Sequence, residues 1–194
     1  MDDKKTTKER IARGAASLFR KQGYAAATLR QIASAIGIKS GSIYYHFDSK
    51  QDILFQIMDS TLCELTSIVE EGITKIESPL QKLYAAIDTH IRYHIDNLDY
   101  TYAADTEIRS LNEENLKIII AKRKRYENIF KEIIIEVTTN STTRIINTKL
   151  TTLALLQMCT GLSLWFQKDG ELSIQDVIDQ YYQFVMSGIS DNEK

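Results

Sequence analysis

The 194-residue chain contains a single proline, Pro79, and only eight glycines. So few helix breakers exclude a fold of many short strands and turns and favour long helices. Cysteine is nearly absent. Cys63 and Cys159 lie far apart with no Cys-x-x-Cys pair, and both stand in apolar-periodic stretches, as buried thiols of a reducing compartment do. No apolar run exceeds a few residues, so no segment is expected to span a membrane. The first residues, Met-Asp-Asp-Lys-Lys, hold no apolar signal core, and the expected location is the cytoplasm. Against these absences, 43% of residues are hydrophobic and 26% charged, enough to bury a core.

Charge is unevenly spread. Residues 1–50 hold ten Lys/Arg against four Asp/Glu, a formal +6, and the remainder holds 14 against 22, a formal −8. A basic head on an acidic body points to a polyanionic partner for the head alone.

Apolar spacing predicts helices throughout. Ile11, Ala15, Leu18 and Phe19 form one stripe over Thr6–Gln22, stopped by Gly23. Thr28 and Gln31 form a capping box for a second helix, which Gly37 ends. A short third helix is expected from Ser40 to His46. Ser49 caps a long helix reaching Ile76, and Ser78-Pro79 opens the next. A short helix around Tyr102–Ser110 and a long one over Glu113–Val137 follow, the latter with Leu116, Ile120, Phe130, Ile134 and Val137 inward. Thr138–Thr143 reads as a polar loop, Arg144–Phe166 as a strongly apolar helix, and Ser173 with Asp176 as the cap of the last helix, ended by Gly188. The β-branched runs at Ile118–Ile120 and Ile133–Ile135 are read as helix, because no hairpin turns flank them.

Residues 28–47, TLRQIASAIGIKSGSIYYHF, carry the most specific signal. Two short amphipathic helices joined by a Gly-containing turn make a helix-turn-helix, whose second helix enters the major groove of double-stranded DNA. Ser40, Gly41 and Ser42 are small enough to let the backbone approach DNA. Ile43 and Phe47, four apart, anchor the helix inward. Tyr44, Tyr45, His46 and Lys50 then point toward phosphates. A plain helical hairpin would not expose two tyrosines and a histidine beside a basic flank.

From Arg10 to Ile57 the chain resembles the TetR/AcrR family of transcriptional regulators. The carriers are the Ile11–Phe19 stripe, Gly23-Tyr24, Thr28, Ile32-Ala33, Gly37-Ile38, the run Gly41 to Phe47, and Lys50 with Ile53-Leu54. The resemblance implies an all-α homodimer: a three-helix DNA-binding domain over residues 1–48, and a bundle of about six helices over 49–194 that binds a ligand and dimerises. It implies phosphate contacts from Thr28, Tyr45, His46 and Lys50, and groove contacts from Ser40, Gly41, Ser42 and Tyr44. Arg30 is placed with this DNA-facing set. The expected partner is a palindromic operator.

The body resembles a subgroup that regulates fatty-acid and steroid degradation and responds to acyl-CoA thioesters. The carriers are Arg109-Ser110-Leu111, Arg123 to Tyr126 with Phe130, Trp165, and Asp169-Gly170-Glu171-Leu172-Ser173; the departures are Leu164 and Gly161, where that subgroup often has Arg and Trp. Tyr93, Tyr102, Arg109, Arg123, Tyr126, Met158, Trp165 and Phe166 are the candidate effector residues, aromatic surface for an acyl chain and arginines for phosphates. Gly161, Trp165, Tyr181 and Val185 are the candidate dimer contacts, on the last two long helices.

His90 and His94, at i and i+4, have the spacing that chelates a metal, but no third ligand stands at recognisable spacing, so the favoured reading is two partly buried histidines on a pocket wall. Lys122–Arg125 points in nearly all directions on a helix and reads as a solvated face, with Arg123 alone near the inward phase. No cofactor, metal or catalytic constellation is expected. The competing readings are a sensor of another apolar or aromatic compound of the multidrug type, and a ligand-independent DNA-binding module.

Overall fold

The computed structural model describes residues 6–139 and 147–189, and these are helical or in turns, without a strand. The start of the chain and residues 140–143 of the expected polar loop lie outside them. The helices are α1 (Thr7–Ala26), α2 (Leu29–Ala35), α3 (Lys50–Ile73), α4 (Pro79–Asp96), α5 (Leu98–Thr106), α6 (Glu113–Thr139), α7 (Thr148–Thr160), α8 (Leu162–Trp165) and α9 (Ile174–Ile189), with 3-10 turns at Ser40–Tyr45 and Ile108–Ser110. No helix among the described residues is long and apolar enough to cross a membrane.

The chain divides into two compact units. One comprises residues 1–63 and 97–121, the other residues 64–96 and 122–194. In the first, Ile11, Ala15 and Phe19 of α1 pack with Ile32, Ile43, Leu54, Ile57 and Met58, joined by Ala103 of α5 and Ile119 of α6. Full burial of each large aliphatic or aromatic side chain stabilises by about 1.5–3 kcal/mol. In the second, Leu83, Ile87 and Ile91 of α4 pack with Phe130 and Ile134 of α6, Leu155 of α7, Leu162 and Ile178.

Local chemistry sets the element ends. Thr6 with Glu9 and Thr28 with Gln31 form reciprocal capping boxes. Gly23 (φ 79°) breaks α1, and Gly37 (φ 70°) ends α2, where the N–H groups of Gly37 and Ile38 return to Ser34 and Ala33 as in a Schellman motif. Ser173 and Asp176 cap α9 in the same reciprocal way.

Four expectations are corrected. The helix expected over Tyr102–Ser110 begins earlier, at Leu98, and a 3-10 turn follows it. The apolar stretch ending at Phe166 is not one helix: at Gly161 the backbone tightens (φ −59°, ψ −17°) and restarts as the single turn α8. In α6 the buried position is Ile119, not Ile120, because the stripe Ile119, Tyr126, Phe130, Ile133 and Val137 sets the phase. Cys63 is exposed, and only Cys159 is a buried thiol, its pKa pushed up to about 12 by burial.

Candidate functional site

The helix-turn-helix is built on buried anchors. Ile43 and Phe47 are buried as the four-residue spacing requires, and the residues between them are turned out. Tyr44 is 60% and Tyr45 87% exposed, with Ser40, Gly41 and His46 also exposed and Ser42 half-exposed. Large aromatics are rarely left this bare without a partner. The short helix expected here is present as a 3-10 helix over Ser40–Tyr45. At the start of α2, Thr28 and Arg30 stand exposed, and the Thr28 hydroxyl accepts from Gln31 N at 3.2 Å. The Arg10 guanidinium donates to Ile36 O at 2.9 Å, and Lys8 lies 5.4 Å from the Phe47 ring, so the start of α1 braces the motif at its central turn and at its far end.

Lys50 is placed differently from the rest of the set. Its ammonium donates to the carbonyls of Tyr24 (2.7 Å), Ala27 (2.7 Å) and Ala25 (3.4 Å), and lies 4.2 Å from the Tyr24 ring centroid. An ammonium has three donors, and all three are used inside the chain. Lys50 therefore secures the corner between α1 and α2 in place of the outward position expected of it.

A second basic feature escaped the sequence reading. Arg10, Arg13 and Lys21 of α1 line a groove of about 480 Å³ together with Leu18, Ile36 and the acidic Asp99. The signal was present in the spacing i, i+3, i+11, which puts three cations on one helical face.

The expected effector residues separate. Tyr93 and Tyr126 are buried in the core of the second unit, and Met158 and Phe166 pack against it. Arg123 is half-buried on the same stripe of α6 as Tyr126. Trp165 is 48% exposed and, with Phe166 and Gly170 to Leu172, lines a shallow hollow of about 240 Å³. Tyr102 (half-buried) and Arg109 (exposed) belong to the first unit.

His90 and His94 are both buried in the second unit, more deeply than the partial burial expected of them. Their rings stack at 4.1 Å, His90 Nδ1 meets the Tyr126 hydroxyl at 2.7 Å, and His90 Nε2 meets Thr160 Oγ1 at 3.3 Å. His94 Nδ1 donates to the His90 carbonyl at 2.9 Å. Burial, then the neighbouring His94, push the His90 pKa well below the usual histidine range. Among the described residues no group of three or more His, Cys, Asp or Glu could hold a metal.

The candidate dimer residues divide as well. Tyr181 is half-buried and Gly161 partly open. Val185, expected to face a partner, is only 7% exposed and committed to its own core. Its neighbour Phe184 is 65% exposed, and Leu150, Leu153, Leu164 and Leu172 are exposed as well. One step along α9 turns the side chain by about 100°, which is why the two neighbours face opposite ways.

Comparison with known proteins agrees with this geometry. Residues 77–189 match the tetracyclin repressor-like C-terminal domain, and residues 11–57 match the bacterial regulatory proteins of the tetR family. The chain belongs to the TetR family of bacterial regulators. Dimers are typical of that fold. It is 34% identical over 116 residues to the HTH-type transcriptional repressor KstR2 of Rhodococcus jostii, a match spanning 50% of this chain and 57% of the relative. To KstR2 of Mycolicibacterium smegmatis it is 26% identical over 184 residues, 92% of this chain and 88% of the relative. Among solved structures, PfmR from Thermus thermophilus, a TetR family regulator, superposes with a TM-score of 0.85 at 28% identity, covering 94% of this chain and all of that one. AibR, solved with isovaleryl coenzyme A and operator DNA, shares the fold at a TM-score of 0.84 and 22% identity, covering 91% and 96%.

Proposed function

We propose that this protein is a transcriptional repressor of the TetR type, working as a homodimer in the cytoplasm and released from a palindromic operator by an acyl-CoA thioester. The observation that carries the reading is the exposed surface at residues 40–46, held from behind by buried Ile43 and Phe47. Such a surface suits the major groove, with small residues at the base edges and Tyr44, Tyr45 and His46 toward the sugar–phosphate strands. Residues 1–48 serve as the DNA-binding part and 49–194 as the ligand-binding and dimerisation part. Thr28 and Arg30 add contacts from the start of α2, while Lys50 contributes through the corner that it holds. The exposed apolar residues of α7 to α9 supply the dimer face.

The acyl-CoA assignment draws on Arg123, which can meet a phosphate with paired hydrogen bonds, and on the aromatic residues of the same second unit, which suit an acyl chain. AibR carries an acyl-CoA on this fold. The relatives are repressors rather than enzymes, in keeping with a binding role.

The test is to select an operator from random-sequence duplexes with the full chain, then titrate the complex with palmitoyl-CoA, palmitate and coenzyme A. Release by the thioester alone is the expected result. Release by none of the three removes the acyl-CoA assignment and leaves a sensor of another apolar compound. Failure to enrich any duplex removes the DNA reading itself.

A further inference from the structure

We propose that Glu107 and Gln51 are positioning residues for DNA binding: by gripping Tyr24 they set the corner between α1 and α2, and with it the placement of the start of α2. The proposal rests on the DNA-binding reading above. All the groups concerned lie within the first unit.

The corner needs an external partner. Gly23 takes a positive φ and interrupts α1, so the next N–H, that of Tyr24, leaves the helical pattern. A buried or half-buried N–H without an acceptor is costly. Here Glu107 Oε1 accepts it at 3.0 Å, from a residue 83 positions away. The other carboxylate oxygen accepts from the Ser110 hydroxyl at 2.9 Å, which fixes the carboxylate in the turn between α5 and α6. Gln51 holds the far end of the same side chain. Its amide nitrogen donates to the Tyr24 hydroxyl at 3.0 Å and also to the Ser110 carbonyl, and its amide oxygen accepts from Asn112 N at 3.0 Å.

Tyr24 is thereby held at four points: its N–H by Glu107, its carbonyl and ring face by Lys50, and its hydroxyl by Gln51. Phe19 meets its ring edge-on at 5.2 Å. A residue fixed so completely defines the direction in which the chain leaves it. Four residues on, Thr28 caps α2, the helix that presents Thr28 and Arg30. Neither Glu107, an acid, nor Gln51, whose amide is already used, is suited to meet a phosphate. Their effect on DNA passes through Tyr24.

The experiment compares full-length Glu107→Ala, Gln51→Ala, Glu107→Gln and Arg30→Ala on the duplex that the wild-type chain enriches from random sequences. Affinity is read across a salt titration beside each variant's melting curve. Glu107→Ala and Gln51→Ala are expected to lose on the order of tenfold in affinity with the salt slope unchanged, because no phosphate contact is removed. Glu107→Gln keeps an acceptor for Tyr24 N and restores binding. Arg30→Ala, by contrast, flattens the slope by about one unit. If Glu107→Ala fails to fold, Tyr24→Phe, which removes only the hydroxyl bond to Gln51, must show a loss of the same kind. Wild-type binding by Glu107→Ala and Gln51→Ala, or a slope that falls as in Arg30→Ala, overturns the proposal. A wild-type chain that enriches no duplex overturns the DNA reading and this proposal with it.

Discussion

His90 shows how one buried side chain sets a pH limit on the fold. Both ring nitrogens are occupied by hydroxyls, and the ring is sandwiched among His94, Tyr126 and Phe130. Hydroxyls can serve a neutral imidazole as one donor and one acceptor. A protonated ring would need two acceptors, in a site that solvates charge poorly. Its folded pKa therefore lies well below the unfolded value of about 6.5. Above pH 6.5 the ring is neutral in both states and contributes no pH dependence. As pH falls through that value the unfolded chain takes up a proton that the native state refuses, and stability is lost. The loss grows as pH falls from 6.5 toward 5.5, because the folded pKa is depressed. Urea midpoints of wild type and His90→Gln at pH 7.5, 6.5 and 5.5 measure it. The variant is expected to lose less on acidification, and parallel losses in both proteins would show that His90 is not the group responsible.

At the scale of the element, α9 illustrates why a helix with two apolar faces is ambiguous in one dimension. Tyr181, Tyr182, Phe184 and Val185 are all apolar or aromatic, so periodicity alone admits either face as the buried one. The fold puts Val185 inside and Phe184 outside. Two adjacent substitutions then have opposite consequences. Val185→Ala removes buried methyls and should cost about 2 kcal/mol of stability while leaving a dimer. Phe184→Glu should leave the protomer's secondary structure intact and shift sedimentation toward the monomer, as should Gly161→Arg. A Phe184→Glu chain that sediments as a dimer places the interface elsewhere. The same contrast explains what was legible beforehand. The Thr28–Gln31 and Ser173–Asp176 caps and the glycine breaks at 23 and 37 could be read because their chemistry closes within a few residues. The partners of Lys50, 23 to 26 residues away, could not, nor could the choice of Ile119 over Ile120, which depends on which face of α6 meets a neighbour. The exposed aromatics of the candidate DNA face were legible in advance only because their anchors, Ile43 and Phe47, share the spacing of one helical turn.

For the whole molecule, a repressor released by a ligand must obey reciprocity. If palmitoyl-CoA weakens operator binding by some factor, operator must weaken palmitoyl-CoA binding by the same factor, because both are one coupling free energy. Couplings of this kind are typically about 1–3 kcal/mol, or roughly 5–150-fold. The check matters here because long-chain acyl-CoA is amphiphilic and can strip a protein from DNA simply by unfolding it. Irreversible unfolding by an amphiphile is not an equilibrium linkage, so the two factors would not match, and the melting temperature would fall. A specific effector instead binds the native state and raises the melting temperature by mass action. The chain offers its own reporter, since Trp165 is the only tryptophan and stands half-exposed beside Phe166. Titrating its fluorescence with palmitoyl-CoA, with and without saturating operator, gives one factor, and anisotropy of labelled operator with and without palmitoyl-CoA gives the other. Equal factors, with a raised melting temperature, are the expected outcome. Unequal factors with a lowered melting temperature would identify release as denaturation, and the acyl-CoA assignment would then fall even though the DNA came off.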